Sequence, residues 1–370
     1  MKQPLPIGIQ SFREIREKGY LYVDKTAEIF NLIESGKYHF LSRPRRFGKS
    51  LTLSTISELF SGSRELFKNL WIDEHWSWEQ IQPVIHFSFS SIGYKTAGLE
   101  QALQNMLNAE AAKNGIVLKA KGYDQKFKEL LEKLSAKGQV VLLIDEYDKP
   151  MIDYLDEKET ALGNQQILKA FYSIIKDADP FISFLLITGV SKFSKVSIFS
   201  ELNNLKDITI HPKFSTLVGY TQKEVEQYFS SWTEELMGEY EINEQELIQR
   251  IRSWYNGYSW DGKHFVYNPF SILSFFDTGQ FQNYWFSTGT PTFLIKLLKE
   301  RMVYETGETE VGQVAFDGFD LENIDTISLL FQTGYLTIKA IAPLGLYKLD
   351  YPNKEVKDSM LQYLLLNQTQ

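Results

Sequence analysis

The segment from Arg43 to Ser50, with the sequence RPRRFGKS, carries residue types that could hold a nucleotide phosphate. It follows an apolar run and opens an amphipathic one, which is the setting of the P-loop motif G-x-x-x-x-G-K-[ST]. In that motif the backbone N–H groups face the phosphates, the lysine reaches the β and γ oxygens, and the hydroxyl ligates Mg²⁺. Lys49 and Ser50 stand at these two positions, whereas Arg43 replaces the first glycine. The predicted nucleotide-binding residues are Arg45, Arg46, Phe47, Gly48, Lys49, Ser50 and Leu51.

Two acids at the end of a second apolar run supply the other half of such a site. The run from Val140 to Ile144 is typical of a buried strand, and Asp145 and Glu146 follow it directly. Ligands of α/β sheets bind at the carboxyl ends of the strands. We therefore expect Asp145 to hold Mg²⁺ together with Ser50. Glu146 is expected to polarise the water that attacks the γ-phosphate, and Lys49 to assist catalysis. Either segment alone fits a simple turn or helix cap, but their combination favours a nucleotide site.

Three polar residues near these acids have both a functional and a structural interpretation. Thr188 and Ser191 end the next apolar run, where a catalytic γ-phosphate sensor would stand, yet either could simply turn the chain at Gly189. Asp148 adds a third acid. We expect it to cap the helix that begins near Pro150 rather than to take part in catalysis.

Clustered arginines indicate where an anion would bind. Arg45 and Arg46 lie between a predicted strand end and a predicted helix N-terminus, where the backbone already attracts anions. Their guanidinium groups would repel each other unless an anion or a carboxylate such as Asp145 joined them. Arg46, Arg252 and Lys192 are candidates for an arginine-finger type of cation, although such side chains are more often solvated or salt-bridged.

The elements that must position these residues alternate between strand and helix over residues 1–215. Runs rich in β-branched and aromatic residues predict strands at Tyr38 to Leu41, Val84 to Phe89, Val140 to Ile144, Phe181 to Thr188 and Asp207 to Ile210. Amphipathic periodicity predicts helices that include Leu51 to Phe60, Leu99 to Lys113, Gln125 to Ala136 and Asn164 to Lys176. This alternation is typical of an α/β fold in which a parallel sheet of about five strands has helices on both faces. The strand order along the chain fits the additional-strand type of P-loop NTPase.

Two further regions follow this core. Residues 216–320 predict a helical lid, which starts with a capping box at Thr221 and Glu224. Further helices are predicted there at Glu244 to Trp254, Pro269 to Phe276 and Thr292 to Lys299. Residues 321–370 predict a helix from Asp325 through Phe331 and then strands at Tyr335 to Ala340 and Leu346 to Leu349. A helix followed by a hairpin is typical of a winged-helix-like α+β subdomain, and a subdomain of other topology fits as well.

Composition excludes several classes of protein. The chain has 370 residues, so more than one packed unit is expected. It has no cysteine, which excludes disulfide scaffolds, thiolate metal sites and cysteine nucleophiles. The net charge of −8 disfavours a basic surface for nucleic acid. Neither a secretory signal nor a membrane-spanning run is recognisable, so we expect a cytoplasmic protein without membrane contact.

Five sequence blocks resemble those of the AAA-ATPase-like family of bacterial P-loop proteins, which is distantly related to the STAND and archaeal ATPases. The blocks are Leu5 to Gly8, Tyr22 to Thr26, Arg43 to Ser50, Ile144 to Pro150 and Trp254 to Tyr258. The resemblance extends to about Leu349 and implies ATP and Mg²⁺ as ligands. An arginine in place of the first loop glycine is usual in that family, although Arg43 would disfavour the positive φ that glycine tolerates.

The same resemblance implies a partner domain. Family members commonly carry a nuclease-like domain of the PD-(D/E)XK type after the ATPase part. The segment from Tyr351 to Val356 resembles the junction to that domain, and the sequence ends shortly after it. We therefore expect the nuclease-like domain to be absent from this chain.

Competing functions follow from these observations. The first is a Mg²⁺-dependent ATPase whose nucleotide state moves the helical lid. The alternative is a nucleotide-gated switch or scaffold with little or no hydrolysis, acting on a nuclease-like or nucleic-acid partner. Nucleic-acid binding through the winged-helix-like region is disfavoured by charge. A phosphate monoester hydrolase or nuclease acting through Asp145, Glu146 and Lys149 is rejected, because a PD-(D/E)XK site draws its acids and lysine from separate strand positions, whereas these residues stand together at one strand end. The oligomeric state stays open.

Overall fold

Five parallel strands form the central sheet of the computed structural model, which describes residues 2–193, 202, 204–289, 308–316, 318, 321 and 324–366. The strands are β1 (Tyr38–Ser42), β2 (Val84–Ser88), β3 (Val140–Asp145), β4 (Ile182–Gly189) and β5 (Lys206–Asp207). Their order across the sheet is β2, β3, β4, β1, β5, and each neighbouring pair is parallel. The strand that follows β3 along the chain, β4, therefore lies between β3 and β1. The predicted five-stranded parallel sheet is confirmed.

Helices cover both faces of this sheet. Every residue of β1 and β3 is buried, which a parallel sheet achieves between two helical layers. The helices of this part are α1 (Phe12–Glu17), α2 (Thr26–Glu34), α3 (Lys49–Phe60), α4 (Tyr94–Ala97), α5 (Leu99–Lys113), α6 (Tyr123–Ser135), α7 (Lys149–Ile152) and α8 (Lys158–Asp177). Among the described residues, none of the helices combines the length and the apolar character that crossing a lipid bilayer requires.

The last strand of the sheet is shorter than predicted. We expected it to run from Asp207 to Ile210, but pairing with β1 is confined to Lys206 and Asp207. The carboxylate of Asp207 accepts a hydrogen bond from the N–H of Thr209 (2.9 Å), which turns the backbone away from the sheet. Thr209 is thereby placed next to the end of β1.

The region predicted as a helical lid contains a small antiparallel sheet as well as helices. Its strands are β6 (Tyr220–Thr221), β7 (Asn256–Tyr258) and β8 (Val266–Tyr267), with β8 in the middle. Its helices are α9 (Gln222–Tyr228), α10 (Ser230–Tyr240), α11 (Glu244–Tyr255), α12 (Pro269–Thr278) and α13 (Tyr284–Gly289). The capping box at the start of α9 is confirmed. Strands of two or three residues have no usable periodicity, so the sequence did not reveal this sheet. The helix predicted at Thr292 to Lys299 lies outside the described residues.

A second hydrophobic cluster joins this region to the N-terminal segment. Leu21 and Val23 pack there with Phe229, Tyr255 and Phe275. The cluster therefore packs the N-terminal segment against the helices from α9 to α12.

Another small antiparallel sheet lies before the last described helix. Its strands are β9 (Thr309–Val311), β10 (Thr337–Ile341) and β11 (Tyr347–Asp350), with β11 in the middle. The helices α14 (Thr326–Thr333) and α15 (Lys354–Leu366) flank the β10–β11 hairpin in the chain. The predicted helix and hairpin are present. The third strand comes from before the helix, and a winged-helix assignment stays an interpretation.

Candidate functional site

Loops that follow the carboxyl ends of β1 to β4 line a cavity of about 420 Å³. This volume is ordinary for a ligand pocket. The cavity brings together residues that the sequence predicted to act together: Arg45, Arg46, Phe47, Gly48, Lys49, Ser50, Leu51, Asp145 and Glu146. Thr188 and Ser191, which were also predicted, are not among the described residues that line it.

The loop between β1 and α3 places a helix N-terminus at this cavity. Gly48 has a φ of 90°, and α3 starts at the next residue. Arg46 also has a positive φ, of 68°. Arg43 is not among the residues with positive φ, so the expectation of strain at this position is wrong. The left-handed turn that a loop glycine would ease falls on Arg46 instead.

Arg43 is a packing residue beneath the loop. Its side chain is fully buried, and its guanidinium donates to the carbonyl oxygens of Ser42 (2.9 Å) and Thr209 (2.6 Å). The same group lies 3.9 Å from the ring centroid of Trp260, in cation–π contact. Burial lowers the pKa of Arg43 to about 9, and the nearby Asp207 carboxylate opposes this change. The arginine therefore fixes the start of the loop rather than facing a phosphate.

Lys49 is a buried cation at the edge of the cavity. It is 7% exposed, and its Nζ donates to the carbonyl oxygens of Arg43 (2.8 Å) and Pro44 (2.9 Å). Burial lowers the pKa of Lys49, while the charges of Asp145 and Glu146 oppose that change. Neutral carbonyls compensate a buried ammonium less well than an anion does. The site is therefore suited to receive a negative charge.

Asp145 and Glu146 lie at the end of β3, where hydrogen bonds hold the first and the second has an unusual backbone conformation. Asp145 is 3% exposed and accepts hydrogen bonds from Oγ1 of Thr188 (2.6 Å) and from the N–H of Glu146 (3.0 Å). Glu146 has a φ of 51°, a conformation that residues other than glycine seldom adopt and that clusters at functional sites. Thr188 thus orients the carboxylate of Asp145. That Thr188 also senses a γ-phosphate stays a prediction.

Hydrogen bonds tie the segment after β4 to Tyr147 and Asp148, the residues that follow these two acids. Oδ2 of Asp148 accepts from the N–H groups of Val190 (3.0 Å) and Ser191 (2.6 Å), and the Tyr147 hydroxyl donates to the Ser191 carbonyl (3.0 Å). The prediction that Asp148 caps a helix is wrong. It holds the N-cap position of α7 without a side-chain capping bond, because its carboxylate is engaged by the neighbouring segment. Burial raises the pKa of Asp148 to about 6.

The hydroxyl of Ser191 is buried without a hydrogen-bond partner among the described residues, and its sensor role stays a prediction.

The basic candidates separate into two groups. Arg45 and Arg46 line the cavity, and the guanidinium of Arg46 lies 4.9 Å from the ring centroid of Phe270. Neither arginine forms an ion pair with a carboxylate of the described residues. Lys192 is engaged in an ion pair beside β5, and Arg252 is exposed on α11. Of the three finger candidates, Arg46 is therefore the one that lies at the site.

Two stretches that the motifs did not reveal form the other wall of the cavity. They are the N-terminal stretch (Pro6, Gly8, Ile9 and Gln10) and the start of α12 (Pro269, Phe270 and Leu273), and Tyr220 of β6 joins them. Gly8 has a φ of 76°, which turns the N-terminal stretch at this point. The block from Leu5 to Gly8 was a signal in the sequence, but its residue types indicate no chemistry. This wall is mostly apolar.

The donor set fits Mg²⁺ in the presence of a nucleotide. Ser50 and Asp145 both line the cavity. No group of three or more potential ligands among His, Cys, Asp and Glu occurs in the described residues. Magnesium is commonly held by one or two protein oxygens and completed by phosphate oxygens and water. A hydroxyl and a carboxylate on the same cavity satisfy that requirement.

Comparisons with known proteins agree with this geometry. A family model described as "Predicted AAA-ATPase" matches residues 6–199, which include the loop after β1 and the acids after β3. A protein of Azotobacter chroococcum mcd 1, described as "Uncharacterized protein in vnfD 5'region", is 44% identical over 374 residues, covering 99% of this chain and 70% of the relative. No solved structure gives a significant match. The chain therefore belongs to the AAA-ATPase-like family.

Proposed function

We propose that this protein binds ATP with Mg²⁺ in the cavity and hydrolyses it, and that the nucleotide state acts on the lid region of residues 216–320. The observation that carries the proposal is the buried ammonium of Lys49, which shares one cavity with the carboxylates of Asp145 and Glu146. Family membership supports a nucleotide-binding, ATPase-like role.

In this proposal the cavity has a polar side for the phosphates and an apolar side for the base. The N-terminus of α3 and Lys49 would take the β and γ phosphates. The base would lie between the N-terminal stretch around Ile9 and the start of α12 around Phe270. The arrangement also corresponds to the additional-strand type of P-loop NTPase, because β4 lies between β1 and β3.

Ser50 and Asp145 would hold the metal ion, with Thr188 keeping the Asp145 carboxylate in place. Bound Mg²⁺ would supply charge neutralisation at the phosphate oxygens. Asp148 and Tyr147 would keep the segment after β4 close to the acids. The chain thus contributes both the ligands and the support that orients them.

Glu146 would act as the general base. It would take a proton from water as the water oxygen bonds to the γ-phosphorus and the bond from that phosphorus to the bridging oxygen breaks, giving ADP and phosphate. Lys49 and Arg46 would stabilise the charge that develops on the transferred group. The sensor role of Thr188 or Ser191 belongs to this same step.

A link to the lid is supported by α12. Its Phe270 lines the cavity and lies against the guanidinium of Arg46. A nucleotide that moves Arg46 would therefore act on α12. A nuclease-like domain, alone or with nucleic acid, is the proposed partner of this movement. The second candidate is a switch with little hydrolysis, favoured by the fixed packing of Arg43 at the glycine position of the loop.

Phosphate release from ATP tests the catalytic part of the proposal. Glu146→Gln should keep ATP affinity within about threefold but lower Mg²⁺-dependent release by about a hundredfold or more, because it removes the base and keeps the shape. Glu132→Gln, at an exposed position of α6, is the matched control and should release phosphate normally. Wild-type turnover by Glu146→Gln would remove Glu146 from the mechanism. ATP binding without release by the wild type would favour the switch.

A further inference from the structure

We propose that Trp285 and Glu355 are positioning residues for the loop between β1 and α3, called the phosphate loop below. They hold this loop from the side that faces away from the cavity, so that helix α15 and the ATP site influence each other. This inference rests on the proposed ATP site, because it assigns supports to that site. Neither residue is among the described residues that line the cavity. Both would therefore act through the loop rather than on the nucleotide.

The peptide unit between Arg45 and Arg46 is held by donors outside the cavity. Nε1 of Trp285 donates to the carbonyl oxygen of Arg45 (3.1 Å), and Nδ2 of Asn268 is 3.5 Å from the same oxygen. A trans peptide unit carries its C=O and N–H on opposite sides. These donors therefore turn the N–H of Arg46 away from Trp285. In a phosphate loop such N–H groups are the ligands of the phosphates.

The backbone of Arg46 needs this support. Its φ of 68° lies in the left-handed region, which an arginine avoids unless its surroundings impose it. Neighbouring loop residues are also held from outside. Phe47 packs edge-on against Tyr258, with ring centroids 4.8 Å apart. Pro44 lies so close to Gly334 that a Cβ there would be 2.7 Å from Pro44 Cγ. The outer surface of the loop is thus formed by contacts with the C-terminal half of the chain.

A buried carboxylate on α15 joins these supports. Glu355 is fully buried, and its Oε1 accepts from the backbone N–H of Trp285 (2.7 Å). Its Oε2 accepts from the hydroxyl of Ser271 on α12 (2.8 Å). The neighbouring Phe270 lies against the guanidinium of Arg46. One carboxylate therefore connects the start of α15 with both sides of the loop.

The consequence is a reciprocal coupling. If the Trp285 contact favours the loop shape that binds ATP, then ATP must favour the arrangement of Trp285 and Glu355 by the same factor. Nucleotide binding would thus be transmitted to α15, the helix that leads toward the C-terminus. A partner that pulled on α15 would in turn change ATP affinity.

The test compares two substitutions that each remove one indole donor. Trp285→Phe keeps an aromatic ring but loses the bond to the Arg45 carbonyl. Trp78→Phe is the matched control, because Nε1 of Trp78 also donates to a backbone carbonyl, that of Asp73 (2.9 Å), away from the loop. Calorimetric titration with Mg²⁺ and ATP should give Trp285→Phe a Kd about three- to tenfold above the wild type, from the loss of one hydrogen bond. Trp78→Phe should bind as the wild type does.

Hydrogen exchange gives a second readout that a merely structural role would not move. ATP should slow amide exchange in residues 354–360 of the wild-type protein. In Lys49→Ala, ATP should not change the exchange rates of these amides. Glu355→Ala should weaken ATP binding, and Glu355→Gln, which retains an acceptor for the Trp285 N–H, should largely restore it.

The outcomes separate this inference from the proposed function. Failure of the wild type to bind ATP overturns both. If a folded Trp285→Phe protein binds ATP normally while Lys49→Ala does not bind it, the role of Trp285 and Glu355 is refuted and the proposed ATP site stands. If Trp285→Phe does not fold, unchanged exchange of residues 354–360 on ATP addition to the wild type has the same meaning.

Discussion

Replacing Arg43 by glycine would restore the first glycine of the P-loop motif, and we expect it to harm the protein. In the structure Arg43 has no positive φ, so a glycine at this position would relieve no strain. The arginine side chain fills a buried site and bonds to the carbonyl oxygens of Ser42 and Thr209. Arg43→Gly should therefore lower the free energy of unfolding without tightening ATP binding.

The magnitude follows from opposing contributions. Each hydrogen bond from the charged guanidinium contributes about 1.5–3 kcal/mol, and the contact with Trp260 about 2 kcal/mol. Against these, the fall of the Arg43 pKa from 12.5 to about 9 corresponds to a cost of about 5 kcal/mol for the charged form, the net of burial and the opposing Asp207 and Asp261 charges. The void left by the side chain adds about 2–3 kcal/mol to the loss. We therefore expect a net destabilisation of about 2–6 kcal/mol.

Urea denaturation followed by circular dichroism measures this change, and calorimetric titration measures ATP affinity. Arg43→Met serves as a control that keeps the aliphatic stem but removes the charged donors. Arg43→Met should lose stability because the hydrogen bonds are lost, but it leaves a smaller void than Arg43→Gly does. An Arg43→Gly protein as stable as the wild type, with equal or tighter ATP binding, would refute the assignment of Arg43 as a packing residue.

Three further substitutions test other contacts. Glu355, whose pKa burial raises from 4.5 to about 7, binds its proton more tightly in the folded state, so stability should fall by about 3 kcal/mol as pH rises from 4.5 through 7. Urea titrations across pH 5–8 should show that the free energy of unfolding falls less steeply with pH in Glu355→Gln than in the wild type. Equal slopes for the two proteins would contradict the ionisation of a buried Glu355. Thr188→Val removes the donor to Asp145 and should weaken ATP binding with Mg²⁺ but not without it; calorimetry with and without the metal decides. Gly189→Ala places a Cβ 2.6 Å from the Tyr147 ring and should lower phosphate release about tenfold, and normal release would show that the acids tolerate displacement.

The features predicted well from sequence are those with local causes. The apolar run of Val140 to Ile144 indicates a strand buried on both faces, and it is one. The loop after β1 and the acids at the end of β3 meet because the carboxyl ends of parallel strands share one edge of a sheet. The Thr221 and Glu224 capping box spans three residues and needs no tertiary context.

The features that the sequence did not reveal depend on distant partners. Asp148 stands where a helix cap is expected, yet Val190 and Ser191 supply its hydrogen bonds from the next strand end. In the sequence, Arg43 is simply a mismatch to the first glycine of the P-loop motif. Its packing role depends on contact with Trp260, which lies far along the chain. Such pairings leave no periodicity and no spacing rule in a single sequence.

The central claim is that Lys49 binds a nucleotide phosphate, and calorimetric titration with ATP in the presence of Mg²⁺ tests it most directly. The account predicts one site per chain in the wild type. Lys49→Ala should lose that binding while keeping the wild-type melting temperature, because two neutral loop carbonyls compensate the buried ammonium poorly and its removal costs the fold little. Lys137→Ala, at an exposed position, is the control and should bind normally. Undiminished ATP affinity in a folded Lys49→Ala protein would contradict the account.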